Sequence, residues 1–466
     1  MTDTGNPARD TGAPAAPSDS TPAAEALAAT GRFDADRAAF SAYWRRAERL
    51  LKRLPARPKR GEAEARAAAA ILEAARSARV AFLEAHIETL YRKLTGNLAR
   101  YVRLEQLMFE AAALVPGLVP GREALAREAA LKQADKDGIE VDQGVFVARL
   151  MKREALAFHL CHAMMLPLPA SAALLPELQR AGRLDLGKAA IERRGSVGIV
   201  TMKNPGALNA EDDTTNGPLE TAVDLALLDP ATKICVLRGG PVPHAKYGGR
   251  RVFGAGINLT RLYWGKIPYI FYLVRDLGML NKIYRGLTRP GDPPDETRGE
   301  GTEKLWIAAV EEFAIGGHCQ ILLVMDYVLA ARGAYMTLPA RKEGIIPGMA
   351  NMRLPRFVGG RIARQAIMYE KRIECDSPGG RLICDEIVPP GEMDAAIERV
   401  AGGLTNSGVV NAAANRRAFR IIDEPLSAMC RYLSVYAREQ ACCHTSPALV
   451  ANLERHWNAH ERKAKA

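Results

Sequence analysis

The sequence predicts an α/β domain that is preceded by an all-helical domain and followed by further helices. Apolar residues recur at helical three- and four-residue spacing from about residue 33 to residue 183. After Gly187, short β-type runs alternate with a helical segment, and the pattern becomes helical again from about residue 406. The predicted units are a disordered tail at 1–30, a helical domain at 31–185, an α/β domain at 186–400 and a C-terminal helical segment at 401–466.

The two N-terminal units differ in apolar content. Residues 1–30 are rich in Ala, Pro, Thr, Ser and Asp, and they have too few large apolar side chains to offset the entropy of ordering. In the helical domain, one predicted helix face carries Leu83, Ile87, Leu90, Leu94 and Leu98. Because we find no chemical motif in this domain, we expect its apolar stripes to be packing faces.

The stretch 307–348 is the centre of the α/β domain. An apolar run ends at Gly316 and Gly317, a helical pattern follows, and a β-type run returns at 327–330. A strand that stops at glycines and restarts as a helix exposes backbone N–H groups, which suit a developing negative charge on oxygen. The alternative is an ordinary tight turn between a strand and a helix.

Charge and composition limit the classes of partner. The chain has 466 residues, a formal charge of +11 and 25% charged residues. Its basic pairs are scattered and accompany no nucleic-acid motif, so we expect no nucleic-acid partner. A positive field of this kind favours a small polyanion, such as a molecule that bears phosphates.

Targeting and metal signals are also missing from the sequence pattern. No apolar run reaches the roughly 18 residues that a membrane span needs, and no signal-peptide pattern precedes the domain, so we expect a cytoplasmic protein without a membrane partner. The eight cysteines include no C-x-x-C pair, which predicts free thiols and no metal site.

Several enzyme classes lose support. The sequence contains no G-x-S-x-G, H-E-x-x-H or phosphate-loop signature. The G-x-G at Gly254 and Gly256 lacks a third glycine at dinucleotide spacing, so a Rossmann site is not predicted.

Four segments of the α/β half carry a family resemblance. In chain order they are NPGALNAED at 204–212, FGAGINL at 253–259, FAIGGHCQILLVMDYVLA at 313–330 and GIIPGMANMRLPRFVG at 344–359. With these segments the chain resembles the crotonase (enoyl-CoA hydratase/isomerase) superfamily. The resemblance implies a spiral of ββα turns, an acyl-CoA substrate and a homo-oligomer, either a trimer or a hexamer.

The resemblance also implies a set of site residues. The backbone amides of Ile257 and Gly317 would hold the thioester oxygen, as the two donors of an oxyanion hole. The residues that it implies for substrate binding are Glu211, His244, Ala245, Lys246, Tyr247, Ala255, Gly256, Asn258, Leu259 and Gly316.

Two departures from the family pattern exclude its usual reaction. Enoyl-CoA hydratases carry catalytic glutamates at the positions of Gln320 and Ala340. An amide is no general acid or base near neutral pH, and a methyl group has no such function at all. We therefore do not expect hydration of an enoyl thioester.

Within that superfamily, the chain is similar to cofactor-independent dioxygenases that act on arylacetyl-CoA thioesters such as 3,5-dihydroxyphenylacetyl-CoA. This likeness rests on GGHCQILLVMDYVLA, HAKYGGRRVFGAGINL and NAEDD. It implies oxidation by O2 to an arylglyoxylate with release of CoA, without metal or organic cofactor. It places Gln320 beside the reacting carbon and Arg275 in the substrate site.

Some assignments stay open at this point. Arg275 lies in an apolar context and needs a partner or a ligand; a structural ion pair is one alternative. Glu211 and His244 are the candidates for the base that removes the α-proton, against a solvated face and a surface histidine. Ile315, Ile321 and Leu322 are candidate walls of an O2 pocket, although such residues are more often core.

Two further functions remain as alternatives. One is another crotonase-fold activity that uses the same oxyanion hole, an isomerase or a thioesterase. The other is an acyl-CoA-binding subunit without catalysis, in which Gln320 and Ala340 mark the loss of a hydratase site.

Overall fold

The computed structural model describes residues 27–297, 301–406 and 408–462. The predicted disordered tail lies outside these residues except for its last four positions. Among those, the amide of Thr30 donates to a carboxylate oxygen of Asp36 at 2.9 Å, which ties this end to the first helix.

Helices form the described chain before the first strand. They are α1 Phe33–Arg53, α2 Glu62–Leu94, α3 Leu104–Leu114, α4 Arg122–Ala129, α5 Val141–Leu150, α6 Glu154–Met165 and α7 Pro169–Ala181. Proline starts α7, where its missing N–H costs nothing, and Gly182 ends it with a φ of 69°.

The predicted apolar face of α2 is confirmed except at its last position. Leu83, Ile87, Leu90 and Leu94 are all buried. The helix ends at Leu94, and Leu98 lies beyond it in a turn with a φ of 69°. The sequence Thr-Gly-Asn after Leu94 stops the helix, because glycine and asparagine accept the left-handed conformation that the turn requires.

Two sheets form the α/β domain. Its strands are β1 Arg183–Asp185, β2 Ala189–Arg194, β3 Val197–Met202, β4 Ile234–Gly239, β5 Leu305–Val310, β6 Phe313–Ile315, β7 Tyr327–Ala331, β8 Tyr335–Thr337, β9 Ile373–Glu374 and β10 Glu386–Val388. Within the described residues, the larger sheet has the order β1-β2-β3-β4-β5-β7-β10 and the smaller has the order β6-β8-β9. The run from β3 to β10 is parallel, with Val236 opposite Ile307 in β4 and β5.

The connections repeat a ββα unit, as predicted. The helices that follow the strands are α8 Asn216–Leu228, α9 Leu259–Tyr263, α10 Ile270–Arg275, α11 Asn281–Arg285, α12 Gly317–Leu322, α13 Ala340–Glu343 and α14 Ala350–Tyr369. Strands β5 and β6 lead into α12, and β7 and β8 lead into α13, so each unit supplies one strand to each sheet.

The last helices complete two cores. They are α15 Met393–Asn406, α16 Val409–Asp423, α17 Leu426–His444 and α18 Pro447–Trp457. α15 covers one face of the larger sheet, whereas α17 packs into the N-terminal helices. At Gly144 of α5 an added Cβ would lie 2.7 Å from the carbonyl oxygen of Ala437, so glycine permits this close helix contact.

Among the residues that the structure describes, one apolar stretch meets the length and composition of a membrane span. It covers residues 154–181, which in the structure form the separate helices α6 and α7. Buried core helices of soluble proteins meet the same criterion, and most of α6 is buried in the helical core. The stretch is therefore weak evidence for a membrane span.

Candidate active site

A cavity of about 450 Å³ opens beside the two glycines that follow β6. Its charged and amide-bearing lining residues are Glu211, Arg275, Asp276, Gln320 and Glu343. Its other lining residues include Ile257, Phe271, Tyr272, Gly316, Gly317, Leu338, Ala340, Ile345, Ile346 and Tyr436. A mostly apolar cavity with a few convergent polar groups is typical of a small-molecule site.

Another cavity, of about 550 Å³, contains none of the predicted site residues. Its charged side chains are largely paired with one another. Arg285 donates to Glu296 at 2.7 Å, and Arg420 donates to Glu303 at 2.7 Å. We therefore place the candidate site in the smaller cavity.

The backbone amides of Ile257 and Gly317 lie at the cavity wall, and neither donates a hydrogen bond to an acceptor in the described chain. Their segments run side by side, because Gly254 donates to the carbonyl of Phe313 at 3.2 Å and Ile315 donates to the carbonyl of Gly254 at 3.0 Å. An unpaired amide at a cavity wall is available to a ligand. Two such donors suit a carbonyl oxygen or an oxyanion.

Glycine is required at both positions of the Gly316–Gly317 pair. Gly316 has a φ of 53° and a ψ of −117°, which side-chain-bearing residues rarely adopt. A Cβ added to Gly317 would lie 2.3 Å from Oε2 of Glu211 and 3.1 Å from an Nη atom of Arg275. The lack of a side chain thus lets the ion pair approach the backbone.

Arg275 connects the polar groups of the cavity. Its Nε donates to Glu211 at 2.7 Å, and its Nη2 donates to the carbonyl of Gly317 at 2.7 Å. Its Nη1 donates to Oδ1 of Asp276 and to Oε1 of Gln320, both at 3.1 Å. Burial alone would lower the pKa of Arg275, but the Glu211 and Asp276 carboxylates raise it, so the guanidinium stays charged. The predicted need for a partner is confirmed.

Asp276 is the second acidic partner of Arg275 and is 4% exposed. Burial raises its pKa to about 6, although Arg275 and Arg353 oppose that change. Its Oδ2 has no hydrogen-bond partner among the described residues. Only one of the two oxygens of this carboxyl group therefore accepts a hydrogen bond from the described chain.

Gln320 and Ala340 both line the cavity, where the hydratase pattern has two carboxylates. Since Oε1 of Gln320 accepts from Arg275, its amide nitrogen is the group left to donate to a ligand. No described residue accepts a hydrogen bond from that nitrogen. The site thus offers a neutral donor at position 320 and only a methyl group at position 340.

Six predicted site residues come together in this cavity: Glu211, Ile257, Arg275, Gly316, Gly317 and Gln320. Glu211 is 4% exposed, so the alternative of a solvated face is wrong. Their roles toward a substrate stay predictions.

The other predicted binding residues lie outside the cavity lining. His244, Ala245 and Lys246 are exposed in the turn that follows β4, and Tyr247 is buried with its ring centroid 5.5 Å from that of Phe313. This turn lies on the surface, in agreement with the surface-histidine alternative for His244. Contact between the turn and CoA stays a prediction.

The remaining predicted residues shape the loop before α9. Ala255 donates through its amide to the carbonyl of Leu208 at 3.2 Å, and Gly256 has a φ of 77°. Asn258 caps α9 as predicted, and Leu259 packs against the helical core. These residues hold the segment that carries the Ile257 amide.

The three candidate walls of an O2 pocket are not cavity residues. Ile321 and Leu322 are buried in the core of the α/β domain, and Ile315 packs against Tyr247 and its neighbours. The apolar side of α12 faces the sheet core, so these residues fill the core instead. The apolar cavity wall comes from Phe271, Leu338 and the segment 345–347.

Sequence reasoning missed Asp276, His318 and Glu343. Asp276 directly follows Arg275, and Glu343 lies three residues after Ala340, which is one helical turn. The sequence signal that could have revealed these two carboxyl groups is their position beside residues that were already predicted to lie in the site.

Among the described residues, no group of three or more His, Cys, Asp or Glu side chains is arranged to hold a metal ion.

The sequence pattern of the family described as enoyl-CoA hydratase/isomerase matches residues 192–421. The chain belongs to this family, the crotonase superfamily, as its sequence predicts. A relative that is similar over most of its length is the (3,5-dihydroxyphenyl)acetyl-CoA 1,2-dioxygenase of Amycolatopsis orientalis. The two are 44% identical over 407 residues, 87% of this chain and 92% of the relative.

Other relatives match mainly the α/β half. A crotonyl-CoA hydratase of Syntrophomonas wolfei subsp. wolfei is 27% identical over 51% of this chain and 85% of its own length. Among solved structures, an enoyl-CoA hydratase from Mycobacterium avium subsp. paratuberculosis K-10 has a TM-score of 0.47 and 20% identity, and the match covers 58% of this chain and 98% of that chain.

Proposed function

We propose that this protein is a cofactor- and metal-independent dioxygenase that converts an arylacetyl-CoA and O2 into an arylglyoxylate and free CoA. The observation that carries the proposal is a cavity in which two unpaired amides, of Ile257 and Gly317, adjoin Gln320 and Ala340 instead of two carboxylates. The 44% identity to the Amycolatopsis orientalis enzyme supports (3,5-dihydroxyphenyl)acetyl-CoA as the substrate.

The first chemical step is formation of an enolate. An aryl group and a thioester both acidify the α-carbon between them. The amides of Ile257 and Gly317 stabilise the enolate oxygen, and one such donor contributes about 3 kcal/mol. Gln320 and Ala340 supply no acid, so neither of these residues returns a proton to the enolate carbon.

The second step is electron transfer to dioxygen. The enolate gives one electron to O2, and the two radicals combine into a peroxide on the α-carbon. The amide nitrogen of Gln320 donates to that peroxide. Its terminal oxygen attacks the thioester carbon and CoA leaves as a thiolate. The O–O bond then breaks and the remaining α-hydrogen leaves as a proton, which gives the ketone and the carboxylate.

Oxygen uptake tests this proposal. Purified, chelator-treated protein is given (3,5-dihydroxyphenyl)acetyl-CoA in an oxygen electrode, and free thiol is measured in parallel. We expect one O2 consumed for each CoA released. Thiol release at the same rate without oxygen would make the protein a thioesterase and end the oxidative proposal.

The alternatives give different results in the same assays. Another crotonase-fold activity, such as an isomerase, would lower the absorbance of the enoyl thioester in crotonyl-CoA, and we expect this absorbance to stay constant. A binding subunit without catalysis would bind the CoA ester and show neither oxygen uptake nor thiol release. In that case Gln320→Ala would keep the affinity for the CoA ester, and neither the variant nor the unmodified protein would show turnover.

We further propose a cytoplasmic homo-oligomer, a trimer or a hexamer. Phe419 and Ile422 support a contact with a second copy, since they lie one turn apart on α16 and are 69% and 80% exposed. Light scattering after size exclusion measures the mass. Phe419→Asp with Ile422→Asp would lower that mass, and an unchanged mass would exclude this face as the contact.

A further inference from the structure

Glu343 is the last residue of α13 and lies in the cavity wall, 7% exposed. It follows Ala340 by one helical turn, so it stands next to the position that carries a glutamate in hydratases. A Cβ added to Gly316 would lie 3.6 Å from Oε1 of Glu343. The carboxyl group is therefore beside the glycine that precedes the Gly317 amide.

Glu343 is the cavity carboxyl that is neither hydrogen-bonded nor ion-paired to any described residue. Glu211 and Asp276, by contrast, both accept hydrogen bonds from Arg275. Burial, and after it the negative charge of Glu370, raise the pKa of Glu343 to about 7. A carboxyl with such a pKa exchanges protons readily near neutral pH.

The charged and titratable groups around Glu343 leave it unpaired. Tyr272 of α10 faces it, and the charge of Glu343, after burial, raises the pKa of that tyrosine. Glu370, directly after α14, is held by Arg341 at 3.2 Å and Lys342 at 2.8 Å. These two cations therefore compensate Glu370 and not Glu343.

We propose that Glu343 is the general base of the enzyme, the group whose carboxylate removes the α-proton of the acyl-CoA. The proposal rests on the proposed function for its substrate. The α C–H bond breaks, its electron pair forms the C=C bond of the enolate, and a new O–H bond forms on Glu343. The proton later passes to the leaving CoA thiolate, which restores the carboxylate.

Glu211 and His244, the candidates for the base that the sequence offers, are less suited to removal of the α-proton. Oε1 of Glu211 is engaged by Arg275, and its Oε2 lies against Gly317. His244 is exposed outside the cavity. Two carboxyls in different environments take different roles: the paired Glu211 fixes Arg275, and the unpaired Glu343 moves the proton.

Exchange of α-hydrogen for deuterium without oxygen measures the step directly. Protein in D2O under argon is mixed with (3,5-dihydroxyphenyl)acetyl-CoA or with phenylacetyl-CoA, and mass spectrometry follows deuterium incorporation. We expect Glu343→Gln to slow exchange by about 100-fold or more. Affinity for the CoA ester, measured by titration calorimetry, should change by less than about threefold.

Glu128→Gln is the matched control. Glu128 is also buried, and burial followed by the charge of Glu140 raises its pKa to about 7, but it lies outside the cavity. The same chemical change at that position should leave the exchange rate as it is in the unmodified protein.

Each outcome separates the base from the overall reaction. Undiminished exchange by Glu343→Gln overturns the assignment, as does a lack of exchange by the unmodified protein. Exchange that depends on Glu343 without oxygen uptake keeps Glu343 as the base and rejects the dioxygenase function. Oxygen uptake that is equal in both proteins keeps the dioxygenase function and rejects Glu343.

A second variant keeps the proposal testable if Glu343→Gln does not fold. Exchange by the unmodified protein should rise with pH through a midpoint near 7, because only the carboxylate form accepts the proton. Glu370→Gln removes the negative charge beside Glu343, so the midpoint of the exchange rate against pH should move to lower pH in this variant. A midpoint that stays in place would overturn the assignment.

Discussion

Nδ1 of His318 accepts a hydrogen bond from the backbone amide of Gly256 at 3.1 Å. His318 directly follows Gly317, and Gly256 directly precedes Ile257. This one bond therefore links the two segments whose unpaired amides line the cavity. The imidazole is fully buried. A Cβ added to Gly254 would lie 2.1 Å from its ring, so the ring fits there because residue 254 has no side chain.

The buried imidazole is neutral. Burial lowers the pKa of His318 to about 4, with the charge of Glu211 opposing this and the charge of Arg275 adding to it. A neutral ring has one acceptor nitrogen, and the Gly256 amide uses it. The link consequently persists at any pH well above 4.

His318→Leu should lower kcat by roughly 10- to 100-fold, because the loop that carries the Ile257 amide loses its tie to Gly317. KM for the CoA ester should change much less, since most substrate contacts lie elsewhere. His318→Asn places an amide oxygen near the former Nδ1 and should recover part of the loss. Steady-state oxygen uptake measures both constants, and an equal loss in both variants would contradict this role.

The segments near the backbone donors were predictable from the sequence, because their geometry is local. Gly316 and Gly317 mark a strand-to-helix corner, and Asn258 marks a helix start, whatever surrounds them. The need of Arg275 for a partner also follows from its apolar neighbours alone.

The cavity wall was not predictable in this way, because it joins distant parts of the chain. Tyr436 lies on α17, far from Arg275 in sequence, and no local pattern places its ring beside Asp276. Ile321 and Leu322 show the reverse case: they adjoin the site in sequence, but their side of α12 faces the sheet. Burial of Glu343 likewise depends on contacts that the sequence does not display.

Gly317→Ala should abolish most of the activity. The added Cβ would lie 2.3 Å from a Glu211 oxygen, so either the ion pair with Arg275 or the backbone of the donor must move. We expect a loss of about 100-fold or more in kcat and of about 1–3 kcal/mol in unfolding free energy. Oxygen uptake and urea denaturation measure the two effects.

Gly402→Ala is the control for that substitution. Gly402 lies inside α15, and an added Cβ there meets nothing within 4 Å. Alanine should keep full activity and add up to about 1 kcal/mol of stability. Full activity of Gly317→Ala would exclude the proposed position of the substrate oxygen.

Gln320→Glu should slow the reaction by at least about tenfold, because a carboxylate beside the enolate repels its charge. The new carboxylate would lie next to Arg275, as the amide oxygen does now at 3.1 Å. Gln320→Met removes the amide without adding charge. If the rate falls further in Gln320→Glu than in Gln320→Met, the difference measures the repulsion between the carboxylate and the enolate. Oxygen uptake at saturating CoA ester is the readout, and equal losses would show that charge has no part.

Glu424 joins the C-terminal helices to α14. It accepts hydrogen bonds from Arg353 at 2.8 and 2.9 Å and from Arg356 at 3.0 Å, and Arg285 donates to its carbonyl at 2.7 Å. Burial alone would raise the pKa of Glu424, but Arg353, with Arg285 and Arg356, lowers it to about 2. The carboxylate therefore stabilises the fold above its ordinary pKa of 4.5, and this contribution is lost as the pH falls toward 2.

Glu424→Gln should cost about 3–5 kcal/mol of unfolding free energy at pH 7, since it leaves buried arginines without their counter-charge. The difference from the unmodified protein should shrink as the pH is lowered from 4.5 toward 2. Urea denaturation at pH 7, 5 and 3 measures it. Glu88→Gln, in an exposed pair with Arg92, should cost less than about 0.5 kcal/mol at each pH. A difference for Glu424→Gln that stays constant with pH would show that its effect is packing and not charge.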